Sequence, residues 1–99
     1  MKINVKNQDN KTIIFISGNI DIPASEELKK LFTDIVDTGV KEVEVDFTGV
    51  EFIGSSGLGK LLMFYKNLSS KGGTVKIVNM NEDIKVLFKA IKLDKIFGI

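Results

Sequence analysis

The feature that most constrains this chain is a repeated alternation between short strand-like segments and longer amphipathic ones. Residues 2–6 alternate polar and apolar side chains, and the apolar segment 12–17 follows a polar turn, which is typical of an antiparallel hairpin. Helices are predicted from Pro23 to a stop at Gly39, over residues 58–68, and after the acidic pair 82–83. Further strands are predicted at residues 42–47, 74–78 and 95–97. The order ββαβαβαβ predicts one α/β domain over residues 1–99, with a mixed sheet of about five strands packed with three helices.

Some side chains in this pattern have two interpretations. Met63 and Phe64 lie off the main apolar stripe of the second helix. They would suit a binding surface if exposed, and packing against the third helix is the alternative. Residues 18–21 are predicted to break the second strand. Lys60 is predicted on a solvated helix face, with contact to a partner as the alternative.

The composition excludes several classes of function. The chain has no Cys and no His, so disulfides, thiolate nucleophiles, the usual zinc sites and imidazole catalysis are excluded. Its 14 basic residues are all Lys, and the net charge is only +1, so binding to nucleic acid is not expected. The amino terminus lacks the apolar segment of a signal peptide. No apolar segment reaches the roughly 18 residues that a membrane span needs, so a cytoplasmic location is expected.

The segment from Gly54 to Lys60, with sequence GSSGLGK, is the most informative part of the chain. It matches the G-x-x-x-x-G-K pattern of a nucleotide-binding loop, but Leu61 stands where that loop carries a magnesium-binding Ser or Thr. A structural interpretation is a strand-to-helix turn, in which Ser caps the helix and Gly allows close backbone approach. A third interpretation is a regulatory phosphorylation site.

The third interpretation depends on a resemblance to a known family. Residues 46–62, DFTGVEFIGSSGLGKLL, resemble the signature D-[LF]-[ST]-x-V-x-[FY]-[IM]-D-S-[ST]-G-L-G of the anti-sigma-factor antagonists, which are STAS domains. Residues 18–21 resemble the family's G-E-[IL]-D element, and similar residues follow at 72–73 and 86–97. The resemblance therefore extends over essentially the whole chain.

The resemblance implies a non-enzymatic protein-binding switch that needs no cofactor and no metal. In such systems the antagonist binds an anti-sigma factor that is also a serine kinase, and thereby releases the sigma factor. The kinase phosphorylates the antagonist and breaks the complex, and a PP2C-type phosphatase restores binding. Ser55 corresponds to the phosphate acceptor. The implied partner-binding residues are Asp21, Gly54, Ser55, Ser56, Gly57, Leu58 and Lys60.

The chain departs from the family pattern at two of its motif positions. Gly54 replaces the acid before the phosphate acceptor, which implies either altered recognition by the kinase or binding without efficient phosphorylation. Asn19 replaces the common Glu. Asp21 is retained, either as the N-cap of the first helix or as a partner contact. Ser56 is the expected N-cap of the second helix. The alternative function is a STAS subunit of another assembly, in lipid transport or stress signalling, without control of a sigma factor.

Overall fold

A computed structural model describes all residues from 1 to 99 as five strands and three helices. The elements follow the order ββαββαβα. Their bounds are β1 Lys2–Gln8, β2 Lys11–Ile20, α1 Ile22–Asp37, β3 Glu42–Asp46, β4 Val50–Ile53, α2 Ser55–Ser69, β5 Thr74–Val78 and α3 Glu82–Ala90. The predicted class is confirmed: an α/β domain in which a mixed five-stranded sheet packs with three helices.

The sheet has the spatial order β1-β2-β3-β5, and β4 pairs with β2 beyond the end of β3. The β1–β2 hairpin is antiparallel, whereas β2, β3, β4 and β5 are all paired in parallel. Helices α1 and α2 connect parallel strands and therefore run in the same direction, opposite to those strands. The first residues of both helices consequently lie at the same edge of the sheet.

A single core of 22 buried apolar residues joins the helices to one face of the sheet. Val43, Val45 and Phe47 are buried as the alternation in β3 predicted. Phe64 is also buried, and its ring stacks on Phe32 of α1 with the ring centroids 4.2 Å apart. Both alternatives weighed for Phe64, exposure and packing against the third helix, are therefore wrong. For Met63 the first alternative is confirmed, since 57% of its surface is exposed.

The positions of two strands correct the predicted element order. No strand forms at residues 95–97, which lie in a series of turns, although the carbonyl of Phe97 accepts a hydrogen bond from the Ile77 amide of β5 (2.9 Å). The structure instead has a strand that was not predicted, β4, Val50–Ile53, in the segment between the third predicted strand and Gly54.

The predicted break at residues 18–21 is also wrong. Gly18 has a positive φ of 93°, and the β2–β4 register shifts between Gly18 and Asn19. This irregularity bends β2 without ending it, so that the strand continues to Ile20 and can pair with β4.

No helix in the structure is both long enough and apolar enough to cross a membrane.

Candidate functional site

The predicted site residues meet where β2 and β4 end. The Gly54 amide donates a hydrogen bond to the carbonyl of Ile20 (3.0 Å), which holds the end of β4 beside the end of β2. One shallow cleft at this edge is lined by Asp21, Ile22, Pro23, Phe52, Gly54, Ser55 and Ser56. The fold therefore brings Asp21 together with Ser55, which is 34 positions later in the chain.

Asp21 has a structural function at the start of α1. It is the N-cap residue, and its carboxylate accepts a hydrogen bond from the Ala24 amide (3.0 Å). This bond satisfies one of the free amides in the first turn. Pro23 follows in that turn, where its missing amide hydrogen costs nothing. The interpretation of Asp21 as an N-cap is confirmed.

Helix α2 begins without a side-chain cap. Gly54 is its N-cap residue, in an ordinary extended conformation (φ −88°, ψ 174°), and no side chain accepts a hydrogen bond from the first turn. The expectation that Ser56 caps this helix is therefore wrong. Ser55 is the first helical residue and is exposed, whereas the hydroxyl oxygen of Ser56 is buried and has no hydrogen-bond partner. Of the two serines, Ser55 alone presents an accessible hydroxyl.

Gly57 determines how closely α2 approaches the sheet. A Cβ atom at this position would lie 2.7 Å from Cγ2 of Ile20 and 3.0 Å from Cγ1 of Ile53. Both distances are shorter than carbon–carbon van der Waals contact. The absence of a side chain therefore lets the first turn of α2 rest on β2 and β4, and it places Ser55 at their ends.

The next residues of the predicted binding set attach α2 to its surroundings. Leu58 is half-buried against the core. Lys60 is also half-buried, and its ammonium group lies 3.7 Å from the carboxylate of Glu26 in α1. An ion pair with this much exposure contributes little to stability. Lys60 thus faces α1 and does not point toward the cleft around Ser55.

The segment does not form a nucleotide-binding loop. Residues 55–60 are already helical, so they do not form a loop wrapped around a phosphate. The helix that contains Lys60 also directs this side chain to Glu26. The structural interpretation is confirmed for the strand-to-helix turn and for close backbone approach at a glycine, but not for the Ser cap. The geometry does not support nucleotide binding.

Two large apolar side chains line the same cleft as Ser55, and sequence reasoning did not identify either of them. Ile22 is 69% exposed and Phe52 is 53% exposed. The Phe52 ring lies beside Gly54, 3.6 Å from where a Cβ atom of that residue would be. Exposed aromatic and aliphatic side chains beside polar groups are typical of protein-binding surfaces. The position of Phe52 in the family signature was the available signal, but its exposure depends on the fold.

Asp46, the first residue of the signature segment, supports the turn that leads to β4. Its carboxylate accepts hydrogen bonds from the amide (2.8 Å) and hydroxyl (2.6 Å) of Thr48 and from the Asn79 side chain (3.0 Å). Burial alone would raise the pKa of Asp46, but these hydrogen bonds outweigh it and hold the pKa below its ordinary value. Asp46 therefore remains ionised and organises the turn.

Comparison with known proteins identifies the family. A model of the STAS domain matches residues 2–99. The chain belongs to the STAS domain family. The anti-sigma-B factor antagonist of Bacillus subtilis is 25% identical over 99 residues, which cover 100% of this chain and 90% of that protein. The anti-sigma F factor antagonist of Paenibacillus polymyxa is 25% identical over 100 residues, covering 100% of this chain and 86% of that protein.

A solved structure supports the same assignment. The crystal structure of an anti-sigma factor antagonist from Mycobacterium paratuberculosis superposes with a TM-score of 0.86 at 26% identity, covering 97% of this chain and 81% of that one. The resemblance inferred from residues 46–62 is thereby confirmed at the level of the family and fold. This STAS domain has relatives that are named for a regulatory interaction and not for a chemical reaction.

Proposed function

We propose that this STAS domain is an anti-sigma-factor antagonist that is switched off by phosphorylation of Ser55. In its unmodified form it binds an anti-sigma factor with serine-kinase activity and so releases the sigma factor. Phosphorylation by that kinase breaks the complex, and a PP2C-type phosphatase restores it. These interactions require a cytoplasmic location. The observation that carries the proposal is the exposed Ser55 at the start of α2, in one cleft with the exposed side chains of Ile22 and Phe52.

The proposed binding surface combines an apolar centre with the serine that controls it. Ile22 and Phe52 offer apolar area that a partner can remove from water. Ser55 lines the same cleft, so a partner that fills this cleft also covers the hydroxyl. Asp21 and the backbone of residues 54–57 complete the proposed contact surface. Leu58 and Lys60 act indirectly, since they attach α2 to the core and to α1.

Phosphorylation would act on the interface and leave the fold intact. A phosphate adds about −1.5 to −2 charges at pH 7. The uncapped first turn of α2 tolerates this charge because its amides are free and the helix dipole is positive there. A bound partner would have to desolvate the phosphate in the cleft that Ile22 and Phe52 line. A penalty of about 3 kcal/mol weakens binding roughly a hundredfold, because each 1.4 kcal/mol is a factor of ten.

The decisive experiment begins with affinity capture from extract of the source cells, using the tagged full chain. Recovery of an anti-sigma factor with a kinase domain is expected. The purified pair is then incubated with ATP and magnesium, and intact-mass measurement should show the addition of one phosphate. Ser55→Ala should prevent this addition, whereas the matched variant Ser56→Ala should retain it, because the Ser56 hydroxyl is buried.

Two results would count against this function. Recovery of transporter or stress-complex subunits without an anti-sigma factor would favour the alternative, a STAS subunit of another assembly. A wild-type chain that binds the kinase but gains no phosphate would refute the switch and leave the binding function standing. In that case, restoring the family acid through Gly54→Asp shows whether Gly54 is the cause.

A further inference from the structure

The sheet has two outer edges, and the fold covers one of them. At the β5 edge, the Ile77 amide donates a hydrogen bond to the carbonyl of Phe97 (2.9 Å). A Cβ atom at Gly98 would lie 3.4 Å from Cγ of Lys76, so the turns after α3 lie along β5. β1 forms the opposite edge, and its residues make no backbone hydrogen bond outside the pairing with β2. Unpaired amides and carbonyls at a sheet edge are a template for a further strand.

β1 is long and regular enough to accept such a strand. Its seven residues, Lys2–Gln8, pair with β2 without a break in register, and none of them is Gly or Pro. Six of the seven are exposed. In an antiparallel pair, alternate residues direct their amide and carbonyl groups away from the partner strand, so about half of β1 presents its backbone to the open side.

The β1 side chains that face the helices are apolar at two positions. Ile3 and Val5 lie opposite Ile16 and Ile14 of β2, which are both buried in the core. Ile3 is half-buried against the core, whereas Val5 is 37% exposed. The apolar layer thus reaches the edge strand without being closed there. An apolar side chain of an added strand would pack beside Val5 and shield it from water.

The β1 side chains on the opposite face carry unpaired positive charge. Lys2 and Lys6 are exposed, and their cross-strand neighbours in β2 are the uncharged Ser17 and Ile13. Neither lysine takes part in the three ion pairs of the structure, and β1 contains no acidic residue. At about 3.4 Å per residue, roughly 14 Å separates the two lysines. Acidic side chains four residues apart in an added strand would therefore face both, and such opposite-charge pairs stabilise a sheet.

We propose that the β1 edge binds an extended segment of a partner protein in which acidic and apolar side chains alternate. The segment adds a sixth strand to the sheet through backbone hydrogen bonds, a mode of recognition that many peptides use. Its acidic side chains lie beside Lys2 and Lys6, and its apolar side chains lie beside Ile3 and Val5. None of these four residues lines the cleft around Ser55, so this interaction goes beyond the proposed switch and does not depend on it.

A second copy of the chain matches this edge less well. If two β1 strands pair antiparallel over their full length, Val5 lies opposite Val5 and Ile3 lies opposite the polar Asn7. Lys2 and Lys6 of both copies then share one face of the joined strands, with no acidic residue among them. A segment of alternating acidic and apolar residues instead pairs charge with charge and apolar with apolar at all four positions.

The test uses three synthetic peptides with blocked ends. EVEVEVE has the proposed pattern, and KVKVKVK reverses its charge. EPEPEPE keeps the acidic residues but replaces each valine by proline, which lacks the amide hydrogen that strand pairing needs. Each peptide is titrated into the ¹⁵N-labelled full chain, and the backbone amide resonances are followed by NMR. EVEVEVE is expected to give saturable shifts that are largest at residues 2–8, KVKVKVK to bind at least fivefold more weakly, and EPEPEPE to give no saturable shift in β1.

Two lysines on one line across the sheet provide a matched pair of variants. The cross-strand pairing runs from β1 to β5 through Lys6, Ile13, Glu44 and Lys76. Lys6 and Lys76 therefore share one face of the sheet at its two edges. Lys6→Gln should weaken EVEVEVE binding about two- to fivefold, as expected for an exposed ion pair. Lys76→Gln removes the same charge at the covered edge and should leave binding unchanged. Ser55→Glu should also leave it unchanged, so this interaction and the switch stand or fail separately.

Several results would overturn the proposal. EVEVEVE that gives no saturable shift, or shifts centred outside β1, would show that this edge is not the binding site. Equal binding of EVEVEVE and KVKVKVK would remove the role of charge, and equal binding of EPEPEPE would remove the role of strand pairing. Equal weakening by Lys6→Gln and Lys76→Gln would indicate a general effect of charge. A peptide-free chain that sediments as a dimer, and dissociates when EVEVEVE binds, would assign the edge to a second copy instead.

Discussion

Two glycines in the same helix should respond in opposite ways to the same substitution. Gly57 lies against β2 and β4, where an added Cβ would be 2.7 Å from Cγ2 of the fully buried Ile20. Gly59, two residues later, has open space around the corresponding position. Gly57→Ala and Gly59→Ala therefore form a matched pair in which the chemistry is constant and the packing differs.

The expected magnitudes follow from two opposing effects. In a helix, Ala is favoured over Gly by about 1 kcal/mol, and this gain applies at both positions. At Gly57 the new methyl group must also displace Ile20 by roughly 1 Å to reach normal contact. Overpacking of a rigid core costs about 1–3 kcal/mol. Gly57→Ala should therefore destabilise the fold by up to about 2 kcal/mol, whereas Gly59→Ala should stabilise it by about 0.5–1 kcal/mol.

Urea unfolding followed by far-ultraviolet circular dichroism measures both free energies. In thermal unfolding, the melting temperature should fall by up to about 16 °C for Gly57→Ala and rise by about 2–8 °C for Gly59→Ala, given 4–8 °C per kcal/mol in a domain of this size. If Gly57→Ala and Gly59→Ala were both more stable than the wild type, the packing of α2 would not depend on close approach to the sheet at Gly57. The steric account of how the fold positions Ser55 would then be refuted.

Three further changes test the surroundings of the site. Gly54→Asp should stabilise the protein by about 0.5–1 kcal/mol at pH 7, since it provides the missing side-chain N-cap and a favourable charge at the helix dipole. Urea unfolding should show this gain at pH 7 but not at pH 3. The control variant Gly54→Ala should show no gain. Asp46→Asn should destabilise by about 1–3 kcal/mol at pH 7. Because the pKa of Asp46 in the folded state lies below its unfolded value, this carboxylate stabilises the fold fully above about pH 4 and loses its effect as the pH falls through the folded pKa. A difference in the free energy of unfolding between variant and wild type that persists unchanged at pH 2 would contradict this. Ser56→Ala should stabilise by about 1 kcal/mol because it removes a buried hydroxyl without a partner, and a loss of stability in urea would show that this hydroxyl is hydrogen-bonded.

Local signals in the sequence were sufficient for much of the fold. Pro23 and Gly39 mark the two ends of α1, with Gly39 at a positive φ of 81° just beyond the helix. The alternation at residues 74–78 predicted β5 with its observed bounds. Ser55 was identified from the family signature, and the structure places it at the first residue of α2.

The errors occurred where distant contacts determine the outcome. Gly18 resembles a strand end, but pairing with β4 keeps β2 extended to Ile20. Phe97 has the apolar character of a strand residue, yet it is buried by Phe88 and Tyr65 within a series of turns. The burial of Phe64 depends on Phe32, which is 32 positions away. No local pattern contains these pairings.

The attachment of β4 to the sheet has a consequence for motion. β2 pairs with β3 over five residues, but with β4 at only three positions, and β4 has no second strand neighbour. Segments with few partners open at lower free energy than the whole molecule unfolds. Amide hydrogens at Gly18 and Gly54, which bridge β2 and β4, should therefore exchange with solvent before those of the central strands. Ser55, the proposed phosphorylation site, thus follows the part of the sheet that we expect to open first, and the other four strands are expected to keep the domain folded.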